Sequence, residues 1–300
     1  MDLLLASILI NISALQFELI RSHSLTDFSS ASSIVADNNK LYLVGDDASD
    51  ILVLNKEYHE IDRIRIFDYP GDRIPKSEKT DLEASVMIDI NDETHLIAFG
   101  SASDVKRKVI ISVPVNKSKK PTITDYSVFV RRLREKGIEQ VNIEGATLIG
   151  DRLVIVNRGN NSYRKNHVIT TDKDFWKNQE ACPIMVTEMI IPHNDDLFRG
   201  VSEIHFVPSE DLLLFTLTTE ETSNPIDDGT IGDSYIGWIK SPSNHAMNKL
   251  TTMVNLSDVH ADFKGQKIEG VCTDVSEEDK VLLHWLQTTI PAELRFLRLS

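Results

Sequence analysis

Short apolar runs such as KLYLVG, DILVLN, HLIAFG, KVIISVPV, RLVIVN and LLLFTLT recur along the chain, separated by Asn, Asp, Gly and Ser. Runs of this length, rich in Val, Ile, Leu and aromatic residues and bounded by turn formers, predict β-strands. A longer pattern overlies them. EASVMIDINDETHLIAFGS from Glu83, EGATLIGDRLVIVNRG from Glu144, SEIHFVPSEDLLLFTLT from Ser202 and EGVCTDVSEEDKVLLHWL from Glu269 share one frame, and SSIVADNNKLYLVGDD from Ser32 fits it. The frame is a polar residue, a small residue, an apolar strand, a turn and a second apolar strand.

The frame recurs about every sixty residues, and two further strand-like runs follow in each full interval. Four strands per repeat predict an all-β, five-bladed β-propeller. The third and fourth strands are DILVLN and EIDRIRIF, KVIISVPV and TITDYSVF, HVITT and IMVTEMII, and SYIGWIK and LTTMVNL. The fifth repeat is short, with VLLHWL and ELRFLRL but no outermost strand. ALQFELI, residues 14–20, is expected to supply it beside residues 293–299, because closing a sheet removes its exposed edges. A single domain is thus expected over 13–300, with residues 1–12 left as an extension or a signal remnant. DYSVFVRRLREKG is expected to be helical, with Asp125 at its start and Gly137 at its end, and TDKDFWKNQE to form a shorter helical turn.

Composition narrows the function. With 32 Lys+Arg against 46 Asp+Glu the net charge is −14, and no long basic run offers the face that phosphate backbones require, so nucleic acid is not an expected partner. No apolar run reaches the ~20 residues of a membrane span. Cys182 and Cys272 lack zinc spacing and are read as buried thiols. Asp2 replaces the basic start of a signal peptide, so the compartment stays open, with the cytoplasm favoured over secretion. HExxH, P-loop, GxGxxG and GxSxG motifs are absent.

The chemistry lies in the first residue of the frame: Ser32, Glu83, Glu144, Ser202 and Glu269. Innermost propeller strands border the central channel, so equivalent positions on them form a ring. Three carboxylates there would repel by roughly 3 kcal/mol per pair at about 5 Å and an effective dielectric of ~20. Protonation or a bound cation must relieve this, and an all-oxygen donor set suits Ca2+. The loops after the second strands share the ring's face. They bring Asp46 and Asp47, Lys106 and Arg107, Arg158 and Arg164, and Glu220 to a funnel above it, with His284 and Trp285 at the end of another second strand. Guanidinium groups there suit a small phosphorylated or anionic ligand.

The order Ser, Glu, Glu, Ser, Glu resembles the calcium-activated nucleotidases, or apyrases, which are five-bladed propellers with one axial calcium. SSIVADNNKLYLVGDD with Asp46 and Asp47, RGVSEIHFVPSEDLLLFTLTTEE with SYIGWI, and KIEGV look like that family's first, fourth and fifth blades. NRGNNSYRKN stands where the family carries a basic loop, whereas GSASD looks more like a bacterial group of propellers. The resemblance implies hydrolysis of nucleoside diphosphates or related phosphate esters. Asp46, Asp47 and Arg158 would then be catalytic, Lys106, Arg107, Arg164 and Glu220 would contact substrate, and the ring would hold calcium. Two other readings fit the same residues: a propeller that binds a ligand or partner around a structural calcium, and a lactonase- or esterase-like propeller.

Overall fold

The computed structural model describes residues 3–11, 16–25, 27–28, 30–71, 73–192, 195–224, 229–243, 247–274 and 280–288. Twenty strands form five four-stranded antiparallel sheets. The first sheet holds β3 (Ala31–Asp37), β4 (Lys40–Gly45), β5 (Asp50–Asn55) and β6 (Glu60–Arg65). The second holds β7 (Leu82–Ile90), β8 (Glu93–Gly100), β9 (Val109–Pro114) and β10 (Thr122–Asp125). The third holds β11 (Ile143–Ile149), β12 (Arg152–Asn157), β13 (His167–Asp172) and β14 (Met185–Glu188). The fourth holds β15 (Arg199–Val207), β16 (Leu212–Glu220), β17 (Ile231–Lys240) and β18 (Thr252–Asn255). The last joins β19 (Lys267–Asp274) and β20 (Lys280–Thr288) to β1 (Leu3–Asn11) and β2 (Gln16–Leu25).

This last sheet corrects one expectation. The N-terminal residues contribute two strands, not one: β1 pairs along β20 with Leu3 opposite Thr288, and β2 follows outside it. Leu3–Asn11, which the sequence leaves outside the domain, is thus part of the sheet. Most of ALQFELI lies in the outermost strand, and its expected partner at 293–299 lies outside the described residues.

Local chemistry sets the hairpins. Asn38 and Asn39 between β3 and β4, and Asn91 and Asp92 between β7 and β8, all take positive φ. Two such residues in succession form the tight turn that matches strand twist. Gly150 has φ +60 at the corresponding turn between β11 and β12. The helix α1 (Ser127–Glu135) lies in a connection; Asp125 accepts from its first amide, and Gly137 follows it at φ +98.

The core lies between sheets. Among the described residues it divides into five clusters, one between each pair of successive sheets, including one that joins Cys272 of the last sheet to Leu41, Leu43 and Leu52 of the first. Side chains alternate across a strand. In β12, Leu153 and Ile155 therefore face the second sheet while Val154 and Val156 face the fourth. Coverage on both faces explains why these runs read as continuously apolar. The first strands contact one another in the order β3, β7, β11, β15, β19 and back to β3. Both cysteines are buried and not joined in a disulfide. No helix among the described residues is long and apolar enough to cross a membrane.

Candidate functional site

All five first strands carry a register shift near the start, and the residue left out of the ladder is Ser32, Glu83, Glu144, Ser202 or Glu269. A bulge leaves one residue unpaired and re-aims its side chain. The frame read from the sequence and the five bulges therefore coincide. The residue two positions earlier shares the ring residue's face: Asn142 Nδ2 donates to Glu144 Oε1 at 2.6 Å, and Lys267 Nζ stands 2.9 Å from Glu269 Oε1.

Protein cations meet most of the acids. Arg158 reaches Glu220 at 2.5 Å and Glu144 at 3.5 Å, and Lys267 stands 3.8 Å from Glu220. Gly200 makes room for this guanidinium, since a Cβ there would lie 2.4 Å from Arg158 Nε. Across the funnel, Lys79 pairs with Asp46 and, at 2.8 Å, with Asp81, while Arg107 pairs with Asp81 at 2.5 Å. The oxygens of Asp46, Asp81 and Glu83 lie within 4.8 Å of one another. Glu83 makes no hydrogen bond or ion pair among the described residues, and Asp46 Oδ1 is buried without a partner. Counted as fully ionised, six carboxylates (Asp46, Asp81, Glu83, Glu144, Glu220, Glu269) against four cations (Lys79, Arg107, Arg158, Lys267) would leave an excess of two negative charges for protons or a cation to relieve.

The serines are engaged differently. Ser32 Oγ donates to the Leu82 carbonyl, with the Val44 carbonyl 3.3 Å away, and Ser202 Oγ lies 3.0 Å from Thr216 Oγ1. Beside Ser202 stands a residue that the sequence reading missed. Glu203, 2 % exposed, extends from β15 to Ser33 of β3, whose hydroxyl donates to it at 2.8 Å and also meets Ser85 of β7 at 2.8 Å. Its other oxygen accepts from the Ile204 amide at 2.9 Å, and the Ala146 amide also bonds the carboxyl. The first strands of three sheets thus meet on one carboxyl, and Ser85 joins a fourth to it through Ser33. A Cβ on Gly145 would lie 2.4 Å from Glu203 Oε1, which explains the small residue there. The signal was present: the position after the ring residue is small in Ser33, Ala84, Gly145 and Gly270, and Glu203 breaks that column.

Burial sets the protonation of these groups. It raises Glu83 well above the usual carboxylate range, with Asp81 and Glu144 adding repulsion. Burial lifts Glu144 to about 7 despite Arg158 and Lys267, and Asp46 to about 6 despite Lys79. For Glu220 burial works upward too, but Lys267 and Arg158 outweigh it and hold the group at about 2. Glu203 is raised by burial, only partly offset by its hydrogen bonds.

These shifts predict a pH dependence. Between the ordinary 4.5 and about 7, folded Glu144 keeps a proton that the unfolded chain has released. Its stabilising contribution is full below pH 4.5 and lost as pH rises through 7. In chelator, the parent should lose on the order of 1–3 kcal/mol more than Glu144→Gln across this window. His205, lowered to about 4 by burial, acts oppositely, but both proteins carry it and the comparison cancels it. Denaturant midpoints at pH 5, 6 and 7 check this, and equal slopes would contradict it.

The remaining expected contacts divide. Arg107 and Glu220 lie in the ion-pair network described above. Asp47 binds Arg73 at 2.5 Å. Lys106 bonds the Ser77 carbonyl at 2.8 Å and Arg164 the Asp196 carbonyl, both in exposed positions. His284 lies inside β20, buried, with Nδ1 2.6 Å from Tyr58 Oη, so it packs between the last and first sheets and does not end a strand at the funnel. Asp81, Lys79, Asn142 and Lys267 were not anticipated. Asp81, Asn142 and Lys267 had a signal, since each stands two residues before a ring glutamate.

The sheet arrangement and its convergent strand starts define a β-propeller. The chain belongs to a family of unknown function, DUF6929, whose profile matches residues 27–288. No curated protein matches the sequence. Among solved structures, the chain is similar to the glutaminyl cyclase of Myxococcus xanthus, at 8% identity over 91% of this chain and 97% of that one, with a TM-score of 0.51. The tail fibre of Staphylococcus aureus phage P68 (12% identity, 91% and 52% covered, TM-score 0.45) is also similar. So is the Cps50 (Swd1) β-propeller domain of Myceliophteria thermophila (7%, 85% and 96%, 0.36). Identities this low speak for the fold alone.

Proposed function

We propose that the five sheets are the blades of a five-bladed propeller closed by β1 and β2, and that its funnel holds one divalent cation. The donors are all oxygen, which suits calcium. Glu83, Glu144, Glu269 and Asp46 would hold it, with Ser32 and Ser202 beside them; both serines can offer lone pairs while donating elsewhere. One observation carries this reading: Glu83, without a hydrogen bond or ion pair among the described residues, shares with Asp46 and Asp81 a group of oxygens within 4.8 Å of one another, and Asp46 keeps one buried oxygen unpartnered. Without the cation, protons must relieve the same repulsion. Protein stripped with chelator and titrated with calcium should gain thermal stability, by about 2.7 kcal/mol at one hundred times Kd. A melting temperature indifferent to calcium would contradict the reading.

The apyrase resemblance extends the proposal to hydrolysis of nucleoside diphosphates or related phosphate esters, where the cation would polarise phosphate oxygens. The pairing of Arg158 with Glu220 and Glu144, and of Arg107 with Asp81, counts against that extension, because no anion is needed to satisfy those guanidiniums. A cation-stabilised propeller without turnover is therefore the favoured reading, ahead of the hydrolase and of a lactonase or esterase. Screening nucleotides, sugar phosphates and lactones with and without calcium separates them, and calcium-dependent phosphate release would reverse the order.

A further inference from the structure

A second cavity, of about 540 Å³, opens beside the first sheet and away from the ring residues. That volume is in the range of small-molecule sites. Arg63, Arg65 and Arg73 line it, with Asp27, Asp50, Tyr69 and Ser49.

Each guanidinium is braced by the protein. Arg63 is gripped by Glu60 at 2.8 and 2.9 Å, and Arg73 by Asp47 at 2.5 Å. Arg65 lies 3.0 Å from Asp50 and donates to Ser49 Oγ at 2.7 Å. A guanidinium has five N–H donors. These bonds leave N–H groups of all three arginines without a protein acceptor among the described residues. Braced forks with spare donors lose little freedom on gripping an oxyanion. Tyr69 adds a flat wall. Its ring packs over Gly71, where a Cβ would lie 2.9 Å from Cε1, and its carbonyl is tied to Arg65 at 3.4 Å.

We infer that this cavity binds a small molecule carrying a phosphate on a ring, the phosphate on the arginine forks and the ring against Tyr69. The test is calorimetry in chelator, which removes any cation from the measurement, with phenyl phosphate and inorganic phosphate as probes. Phenyl phosphate should bind the parent, and Arg63→Gln and Arg65→Gln should each weaken it about tenfold, as expected for losing a charge-assisted fork. Arg65→Lys, which keeps the charge but not the fork, should also weaken it. Tyr69→Leu should bring phenyl phosphate down to the affinity of inorganic phosphate. Glu83→Gln should leave both probes unaffected while altering calcium binding, which separates this inference from the cation reading. No binding of phenyl phosphate at millimolar concentration, equal binding by the arginine variants, or loss in Glu83→Gln would overturn it.

Discussion

Replacing Arg158 with methionine should cost about 3–5 kcal/mol of stability, the usual penalty for breaking a buried ion pair from one side. Arg158 is 7 % exposed, and its guanidinium faces Glu220 and Glu144, on strands of two different sheets. Methionine fills part of the space over Gly200 but removes the cation that faces both carboxylates. The excess in the funnel then rises from two negative charges to three, so calcium should bind more tightly even as the metal-free protein weakens. Denaturant midpoints in chelator and in calcium measure both effects. Were Arg158 instead an open clamp for an anion, methionine would change stability by well under 1 kcal/mol, as a solvated surface charge does.

Glu203→Ala should be nearly as damaging, at about 3 kcal/mol or more, through a cavity and orphaned donors. Ser33, the Ile204 amide and the Ala146 amide would all lose their acceptor at a point where three first strands meet. Glu203→Gln keeps the shape and one acceptor oxygen, and should lose less than half as much. If alanine and glutamine cost the same, or if alanine costs under 1 kcal/mol, the carboxyl is not the tie between those strands. Gly145→Ala should mimic part of the loss, since its methyl would press on the same oxygen.

The comparison between sequence and structure turns on which signals are local. The frame at Ser32, Glu83, Glu144, Ser202 and Glu269 was legible because a bulge recurs at one register position and a polar residue, Ser or Glu, occupies it each time. Strand runs such as RLVIVN were legible because both faces are covered. Pairing across the chain ends was only half legible. That N-terminal residues complete the last sheet could be inferred from the short fifth repeat, but local pattern does not say which apolar run pairs with VLLHWL, and LLLASILIN took that place. The ion pairs were hidden for a similar reason. Lys79 lies in the connection before β7, where no periodicity marks it, and its meeting with Asp46 spans 33 residues. Nothing local in the sequence marks the pairing of Arg158 with Glu144 and Glu220, or of Arg107 with Asp81.

The proposed cation is tested most directly at Glu83, the ring carboxylate without a hydrogen bond or ion pair among the described residues. Calcium titration of chelator-stripped parent and Glu83→Gln, followed by calorimetry at pH 7, isolates that one charge. The account predicts one calcium per chain for the parent and at least a tenfold weaker site in the variant, a loss of about 1.4 kcal/mol or more. Equal calcium binding by the two proteins, or none by the parent, would contradict it.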